Sequence, residues 1–359
     1  MTTMTKRVFN FSAGPATLPQ SVLEEAQANL LSYGDSGVGV CELSHRSPEY
    51  DAIHMGAQAD LRTLLGLDDE WAVLFLQGGA SSQFYQVPMN LGANADYLVT
   101  GAWAKKAHKE AALLGDAKVA ASSEETVYNF IPKTLETRDD ASYLHVTSNN
   151  TIYGTQIHEW PENGNVPLVA DMSSDILSRP LPMDRFGLIY AGAQKNLGPS
   201  GVTLVIVRKE LLKRSPDTLP AMINYNTHEK KHSLYNTPPT FPIYVVSLVL
   251  KWIEQGGGLA AMAERNDKKA ARLYQVIDDV PLYAGHSAVE DRSAMNVAFT
   301  LANADLGAAF LAEAKEEGLV GLKGHRSVGG MRASIYNAMP AEGVETLARF
   351  MEGFAQRNG

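Results

Sequence analysis

The chain has 359 residues, of which 45% are hydrophobic and 20% charged, values typical of a globular protein with a sizeable core. Its formal net charge of −9 disfavours a broad nucleic-acid-binding surface, and its single cysteine, Cys41, excludes an intramolecular disulfide framework and a multi-cysteine metal site. We expect a cytoplasmic protein with no nucleic-acid or membrane partner. The first residues contain no apolar stretch of signal-peptide length, and the longest apolar run, 241–250, is too short to span a bilayer.

Short apolar runs alternate with helical patterns through the first part of the chain. These runs lack strict polar–apolar alternation, so we expect their sheet to be covered on both faces by helices such as 101–115. The alternation predicts an α/β fold with a mainly parallel sheet. The predicted strands are 71–76, 96–100, 142–147, 166–171, 187–191 and 202–207.

The end of the chain has a different pattern. It predicts helices at 259–280 and 305–317, strands at 293–302 and 329–336, and a closing helix from 340. We therefore predict a large α/β domain over 17–258 and a smaller α+β domain formed by 1–16 and 259–359. The glycines at 256–258 lack G-x-G-x-x-G spacing and follow a helical pattern, so we interpret them as a turn and not as a dinucleotide site.

Lys195 stands out because it lies between an apolar strand and a turn rich in glycine, in the sequence "LIYAGAQKNLGPSG". One interpretation is a lysine that reaches solvent from the end of a strand. A phosphate-binding lysine is disfavoured because the G-x-x-x-x-G-K-[ST] pattern is absent. The third interpretation is a Schiff-base lysine, whose amine becomes reactive when it is desolvated near other cations.

The third interpretation requires companions, and the sequence contains them. Pyridoxal phosphate needs a carboxylate for its ring nitrogen, and Asp171 ends a predicted strand one crossover before Lys195. Its phosphate needs backbone N–H groups at a helix start, which "FLQGGASSQF" (75–84) provides. Trp103, which follows another strand, offers a ring to stack on the cofactor. Each feature alone is more often structural, but their combination and order favour a cofactor site.

Three motifs extend this prediction to a known family. The chain resembles the phosphoserine aminotransferases in "YAGAQKNLGP", "YNTPPTF" and "GHRSVGGMRASIYNAMP", and the resemblance runs from "NFSAGPATLP" near the start almost to the end. It implies the aspartate-aminotransferase-like fold of pyridoxal-phosphate enzymes (fold type I), with a mainly parallel seven-stranded sheet in the large domain and a smaller α+β domain.

The resemblance also implies roles for individual residues. Lys195 would hold pyridoxal 5'-phosphate covalently, and Asp171 would pair with its ring nitrogen. Asn236 and Thr237 would reach the cofactor phosphate from a neighbouring subunit, so a homodimer with a shared active site is implied. The other cofactor-binding residues implied by the resemblance are Ala80, Ser81, Trp103, Thr151 and Gln194.

Arginine binds carboxylates and phosphates in a bidentate manner, and two His-Arg pairs stand out in this acidic protein. By resemblance, Arg332 would bind the α-carboxylate of the substrate, while His45 with Arg46 and His325 with Arg326 would surround its distal anion. The implied reaction converts O-phospho-L-serine and 2-oxoglutarate into 3-phosphohydroxypyruvate and L-glutamate in serine biosynthesis. The family also has a side substrate in pyridoxine biosynthesis, 4-phosphohydroxythreonine, and the sequence leaves its use by this chain open.

Two positions depart from the family pattern. Ala13 stands where relatives often have serine, so no hydroxyl is available there to contact the substrate. Ser81 stands where some relatives carry arginine, so the contacts to the cofactor phosphate can differ.

Alternatives from other classes remain open at this point. "HEKKH" (228–232) matches the H-E-x-x-H zinc-protease pattern, but its flanks predict a loop and its two lysines would repel a cation. A cysteine desulfurase would need a catalytic cysteine. The position of Cys41, near the N-terminus and beside the predicted anion site, disfavours this alternative. A non-enzymatic regulator is disfavoured because Lys195 and Asp171 are both present.

Overall fold

The computed structural model describes residues 7–359, so the first six residues of the predicted small domain lie outside its described part. The strands are β1 Phe9–Asn10, β2 Trp71–Leu76, β3 Ala95–Val99, β4 Ala117–Ser122, β5 Leu144–Thr147, β6 Asn149–Asn150, β7 Thr155–Gln156, β8 Leu168–Asp171, β9 Phe186–Gly192, β10 Thr203–Arg208, β11 Tyr283–Gly285, β12 Asn296–Leu301, β13 Leu319–Val320 and β14 Met331–Ser334. The helices are α1 Gln20–Ala28, α2 Pro48–Leu65, α3 Gly79–Leu91, α4 Ala102–Ala112, α5 Lys209–Leu212, α6 Tyr225–Lys230, α7 Thr240–Gln255, α8 Gly258–Asp279, α9 Gly307–Glu316 and α10 Ala341–Asn358. Helices and strands alternate from α2 to β4, as the sequence predicted, whereas the strands from β4 to β10 follow one another with no α-helix between them.

The main sheet has seven strands in the order β2-β10-β9-β8-β5-β3-β4. β10 runs antiparallel to both of its neighbours, and the other paired strands are parallel. This confirms the predicted mainly parallel seven-stranded sheet. Because parallel strands end at the same edge, the turns after β3, β5, β8 and β9 lie close together. Four of the predicted site residues follow or end these strands, namely Trp103, Thr151, Asp171 and Lys195.

Helices cover both faces of the sheet, which explains the absence of alternation in the strands. One apolar cluster packs α1, α2 and α7 against one face, and another packs α3 and α4 against the other. The only strand of this sheet with an exposed pattern is β4, at the edge. The result is a three-layer α/β/α arrangement that places the strand ends beside the first turns of α3 and α4.

A separate apolar cluster fills the C-terminal part of the chain. It combines α8, α9 and α10 with β12 and β14, and it also contains Phe11 from near the N-terminus. The same N-terminal segment forms β1, which pairs in parallel with β13. The domain boundaries at 16/17 and 258/259 stay a prediction. Within residues 7–359, no helix combines the length and the apolar character needed to cross a membrane.

Candidate active site

Lys195 lies in the turn that follows β9. Its Nζ donates a hydrogen bond to Oγ1 of Thr151 at 2.7 Å, so the amine has a fixed direction. Burial lowers the pKa of Lys195 to about 8; the Asp171 carboxylate opposes this effect, and the cationic Arg332 adds to it. About a tenth of the amine is therefore neutral and nucleophilic at pH 7, far more than in an ordinary surface lysine.

Asp171 ends β8 and is buried. Its Oδ1 accepts hydrogen bonds from the backbone N–H of Ser173 at 3.0 Å and from the Ser173 hydroxyl at 2.6 Å. Burial raises the pKa of Asp171, whereas the hydrogen bonds from Ser173 and the charge of Lys195 lower it. A buried carboxylate held in this way is suited to pair with a cation that enters the site.

Trp103 lies in the first turn of α4, which begins directly after the end of β3. The Nζ of Lys195 is 5.7 Å from the centre of its indole ring, and the Nζ of Lys106 is 4.3 Å from it. The ring therefore lies close to the amine of Lys195, and its predicted stacking on the cofactor stays a prediction.

The start of α3 is a glycine-containing turn whose geometry is suited to an anion. Gly78 precedes the helix with φ 98°, and a Cβ there would come within 2.7 Å of the Ser82 hydroxyl, so only glycine fits. The first-turn N–H groups, including those of Ala80 and Ser81, have no partner within the helix and can face an anion. Gln194 is half-buried, with its amide close to the backbone of Gly192.

Asn236 and Thr237 also lie beside this turn. The Nε2 of Gln77, one residue before Gly78, donates to the backbone carbonyl of Thr237 at 3.2 Å. Thr237 is exposed and Asn236 is half-buried, so both are accessible to a second chain.

Arg332, in β14, brings a guanidinium close to Lys195. Its Nη1 donates to the carbonyl of Thr151 at 3.3 Å, and its buried Nε has no hydrogen-bond partner among the described residues. Burial lowers the pKa of the nearby His325, and the positive charges of Arg332, Arg326 and Lys106 lower it further. These cations form a pocket that can receive an anionic substrate.

His45 and Arg46 are not brought to this pocket by the single chain. They precede α2, and the Nε of Arg46 donates to Nε2 of His45 at 3.4 Å. Among residues 7–359, no hydrogen bond or ion pair joins them to Lys195 or Arg332. Their predicted substrate contact therefore stays a prediction.

Ala13, which stands where relatives often have serine, contacts the site region through its backbone. The carbonyl of Ala13 accepts a hydrogen bond from the Tyr336 hydroxyl at 2.7 Å, and a Cβ on Gly14 would lie 3.3 Å from Cγ of Lys195. This segment covers the lysine side chain by its backbone and contributes no hydroxyl at position 13.

The zinc-protease pattern does not have the required geometry. The prediction of a loop was wrong in part, because residues 225–230 form the short helix α6. However, α6 ends before His232, whose φ is 49°, and the Nε2 of the buried His228 contacts the carbonyl of Met222 at 2.9 Å. The two histidines therefore do not share a helical face.

Sequence reasoning did not identify Ser173 and Lys106. Ser173 follows Asp171 closely in "VADMSSD", and a run of polar residues directly after a buried strand is the signal that could have revealed it. Lys106 lies three residues after Trp103, which places both on one side of α4. Its proximity to His325 depends on tertiary packing and has no local signal.

Comparison with known proteins agrees with this geometry. Residues 8–347 match the family described as aminotransferase class-V. The solved structure of a pyridoxal-phosphate-bound phosphoserine aminotransferase from Trichomonas vaginalis superimposes with a TM-score of 0.91 at 39% identity, covering 96% of this chain and 100% of that one. The fold and the site thus define a pyridoxal-phosphate-dependent aminotransferase of class V.

Nearer relatives specify the family. A curated phosphoserine aminotransferase of Geobacillus kaustophilus (strain HTA426) is 58% identical over 358 residues, which cover 98% of this chain and 99% of that protein. The structure of phosphoserine aminotransferase from Bacillus circulans subsp. alkalophilus is 53% identical, with a TM-score of 0.96, and covers 99% of this chain and 100% of its own. The chain belongs to the phosphoserine aminotransferase family.

The residues present fit the cofactor of this family. The aldehyde of the cofactor requires an amine such as that of Lys195, whose pKa is lowered, and its ring nitrogen requires a buried carboxyl such as that of Asp171. Its aromatic ring can stack on the indole of Trp103, and its phosphate can accept from the free N–H groups at the start of α3. Gly78, where a side chain would collide with Ser82, allows the turn before α3 to form.

Proposed function

We propose that this chain transfers the amino group of O-phospho-L-serine to 2-oxoglutarate, giving 3-phosphohydroxypyruvate and L-glutamate in serine biosynthesis. Pyridoxal phosphate would be attached to Lys195. The observation that carries this proposal is that the Lys195 amine lies near both the Asp171 carboxyl and the Arg332 guanidinium, with Arg332 and Arg326 close to His325. The relatives' printed name, phosphoserine aminotransferase, supports the substrate.

When bound, pyridoxal phosphate supplies an electron sink for the charge left at the substrate's Cα. Lys195 Nζ then removes the proton from Cα and delivers it elsewhere as a general base and acid. Thr151 orients Nζ through its hydrogen bond. Asp171 provides the negative charge that stabilises a protonated ring nitrogen.

Substrate selection follows from the cations. Arg332 binds the α-carboxylate shared by phosphoserine and glutamate, because its Nε is buried and free to donate among the described groups. His325 and Arg326 bind the distal phosphate or carboxylate. The same pocket would accept 4-phosphohydroxythreonine, which also carries a phosphate.

We further propose a homodimer with a shared site, in the cytoplasm. Tyr85 and Met222 are partly exposed and line one cavity with Gly78 and Asn236, and Tyr235, the residue before Asn236, is also exposed. Clustered exposed apolar side chains are typical of an interface. A partner seated there would supply Asn236 and Thr237 to the cofactor phosphate, and His45 and Arg46 to the substrate anion.

Titration of the visible absorption spectrum with L-phosphoserine tests the function. The bound cofactor absorbs as a yellow form, and we expect phosphoserine, but not L-serine at the same concentration, to convert it to the colourless amine form. The reason is that only phosphoserine carries a distal anion for His325 and Arg326. An equal response to serine would contradict the anion pocket, and a protein that never becomes yellow with added pyridoxal phosphate would contradict the cofactor assignment.

The lowered pKa of Lys195 predicts how cofactor attachment depends on pH. Only the neutral amine attacks the aldehyde, and with a pKa of about 8 the neutral fraction rises about tenfold from pH 7 to pH 9 and then levels off. We expect the rate of covalent attachment to the cofactor-free protein, followed by stopped-flow absorbance, to show this profile. Lys195→Ala is the control and should show no covalent attachment. A rate that continues to rise steeply above pH 9 would indicate an ordinary lysine.

A further inference from the structure

A chain of buried polar groups lies behind Asp171. Asp171 in β8 is the register partner of Tyr190 in β9, so the two side chains are neighbours on one face of the sheet. The Tyr190 hydroxyl lies 2.9 Å from Nε2 of His145, which projects from β5. The ring of Tyr97 stacks on His145, with centres 4.9 Å apart and planes 24° apart. All four side chains are buried.

The protons of this chain can be assigned. Burial lowers the pKa of His145 to about 3, so the imidazole is neutral and carries one N–H. Its Nδ1 has no hydrogen-bond partner among the described residues. A buried donor without a partner is less tolerated than such an acceptor, so we place the proton on Nε2, where it is donated to the oxygen of Tyr190. The Tyr190 hydroxyl hydrogen is then free to be donated to Asp171.

Asp171 needs such a donor. Burial alone raises the pKa of this carboxyl, and a neutral carboxylic acid could not pair with a cationic ring nitrogen. Ser173 already supplies two hydrogen bonds to Oδ1. A hydrogen bond from Tyr190 acts in the same direction and lowers the pKa of Asp171. The other ionisable groups near this chain are Lys195 and Asp175 beside Asp171, and His108, Tyr143 and Tyr225 beside His145 and Tyr190.

We propose that Tyr190 and His145 are positioning residues that keep Asp171 ionised and oriented for the ring nitrogen of the cofactor. This inference rests on the proposed role of Asp171. Neither residue contacts the substrate, so their effect passes through the carboxylate. Loss of the Tyr190 hydroxyl therefore weakens cofactor binding and shifts the pH at which the bound cofactor changes its absorption.

Tyr190→Phe tests the proposal, with Tyr143→Phe as its matched control. Tyr143 is equally buried in the same aromatic cluster, but its hydroxyl contacts that of Tyr97 at 2.7 Å. We expect the dissociation constant of pyridoxal phosphate, measured by titration of the cofactor-free protein, to rise about tenfold in Tyr190→Phe. It should stay within about twofold in Tyr143→Phe. Equal values for the two variants, with an unshifted absorbance pH profile, would overturn the proposal.

Two histidine variants provide an independent arm should Tyr190→Phe fail to fold. The amide of His145→Gln can still donate to Tyr190, whereas His145→Leu cannot. We expect the glutamine variant to retain tighter cofactor binding than the leucine variant. Identical binding by the two would contradict a donor role for His145.

Asp171→Asn separates this inference from the proposed function. Because Tyr190 acts through the carboxylate, Tyr190→Phe should add no further loss of affinity in the Asp171→Asn background. If Asp171→Asn itself leaves affinity and spectrum unchanged, the proposed role of Asp171 fails. If Asp171→Asn weakens binding and Tyr190→Phe has its full effect in both backgrounds, the proposed function stands and the chain behind Asp171 is refuted.

Discussion

Lys195→Ala is expected to reduce transamination by about 10⁴-fold or more, because it removes both the covalent anchor and the base that moves the substrate's α-proton. Thr151 holds the Nζ of Lys195 at 2.7 Å, and no other lysine lies close enough to Thr151 to donate to it among the described residues. The measurement is the rate of glutamate formation with phosphoserine and 2-oxoglutarate in the variant and the parent protein.

Lys105→Ala is the matched control for this prediction. Lys105 lies on α4 near Trp103, but its ammonium is exposed and pairs with Glu124. Its loss should change the rate by less than about twofold, since exposed ion pairs contribute little. A small primary amine added to Lys195→Ala should restore part of the rate. A near-normal rate in Lys195→Ala without added amine would refute the assigned role.

Arg332→Gln is expected to lower kcat/KM for phosphoserine and for glutamate by about 10²- to 10³-fold, the cost of removing a charged partner from a desolvated carboxylate. The decrease in kcat/KM should be similar for both substrates because they share the α-carboxylate. Arg332→Lys should recover only part of the loss, since an ammonium keeps the charge but not the planar fork.

Arg326→Gln distinguishes the two ends of the substrate. It should lower kcat/KM for phosphoserine while leaving unchanged the slow conversion expected at a much higher concentration of L-alanine, which lacks a distal anion. Arg349→Gln is the surface control, because Arg349 is exposed and pairs with Glu345 within α10. If Arg332→Gln affected phosphoserine but not alanine, Arg332 would bind the distal anion and its assignment would be wrong.

The sequence predicted most of the sheet because buried parallel strands have a strong local signal. The run at 71–76 coincides with β2, and the other five predicted strands overlap β3, β5, β8, β9 and β10. The seventh strand, β4, was not located because "AKVAAS" is small, polar and partly exposed at the sheet edge. The helix α6 was missed because its six residues, "YNTHEK", have no apolar stripe.

Within the site, the residues at strand ends could be predicted and those joined by packing could not. Asp171 and Lys195 follow apolar strands, so their shared edge follows from the fold class. Tyr190 has the appearance of an ordinary core residue in "GLIYAG", and only the pairing of β8 with β9 places it beside Asp171. His45 and Arg46 illustrate the opposite case, because their motif was conspicuous but the single chain does not bring them to Lys195.

The segment that covers Lys195 also constrains when the enzyme becomes active during its synthesis. The carbonyl of Ala13 is bound by the hydroxyl of Tyr336, a residue 323 positions later in the chain. A ribosome therefore synthesises the cover of the catalytic lysine 323 positions before its anchor. Contacts so distant in sequence carry a high entropic cost of closure and form late. The nascent protein thus cannot complete its catalytic centre until Tyr336 has been synthesised, and a chain that lacks Tyr336 loses the anchor of that cover.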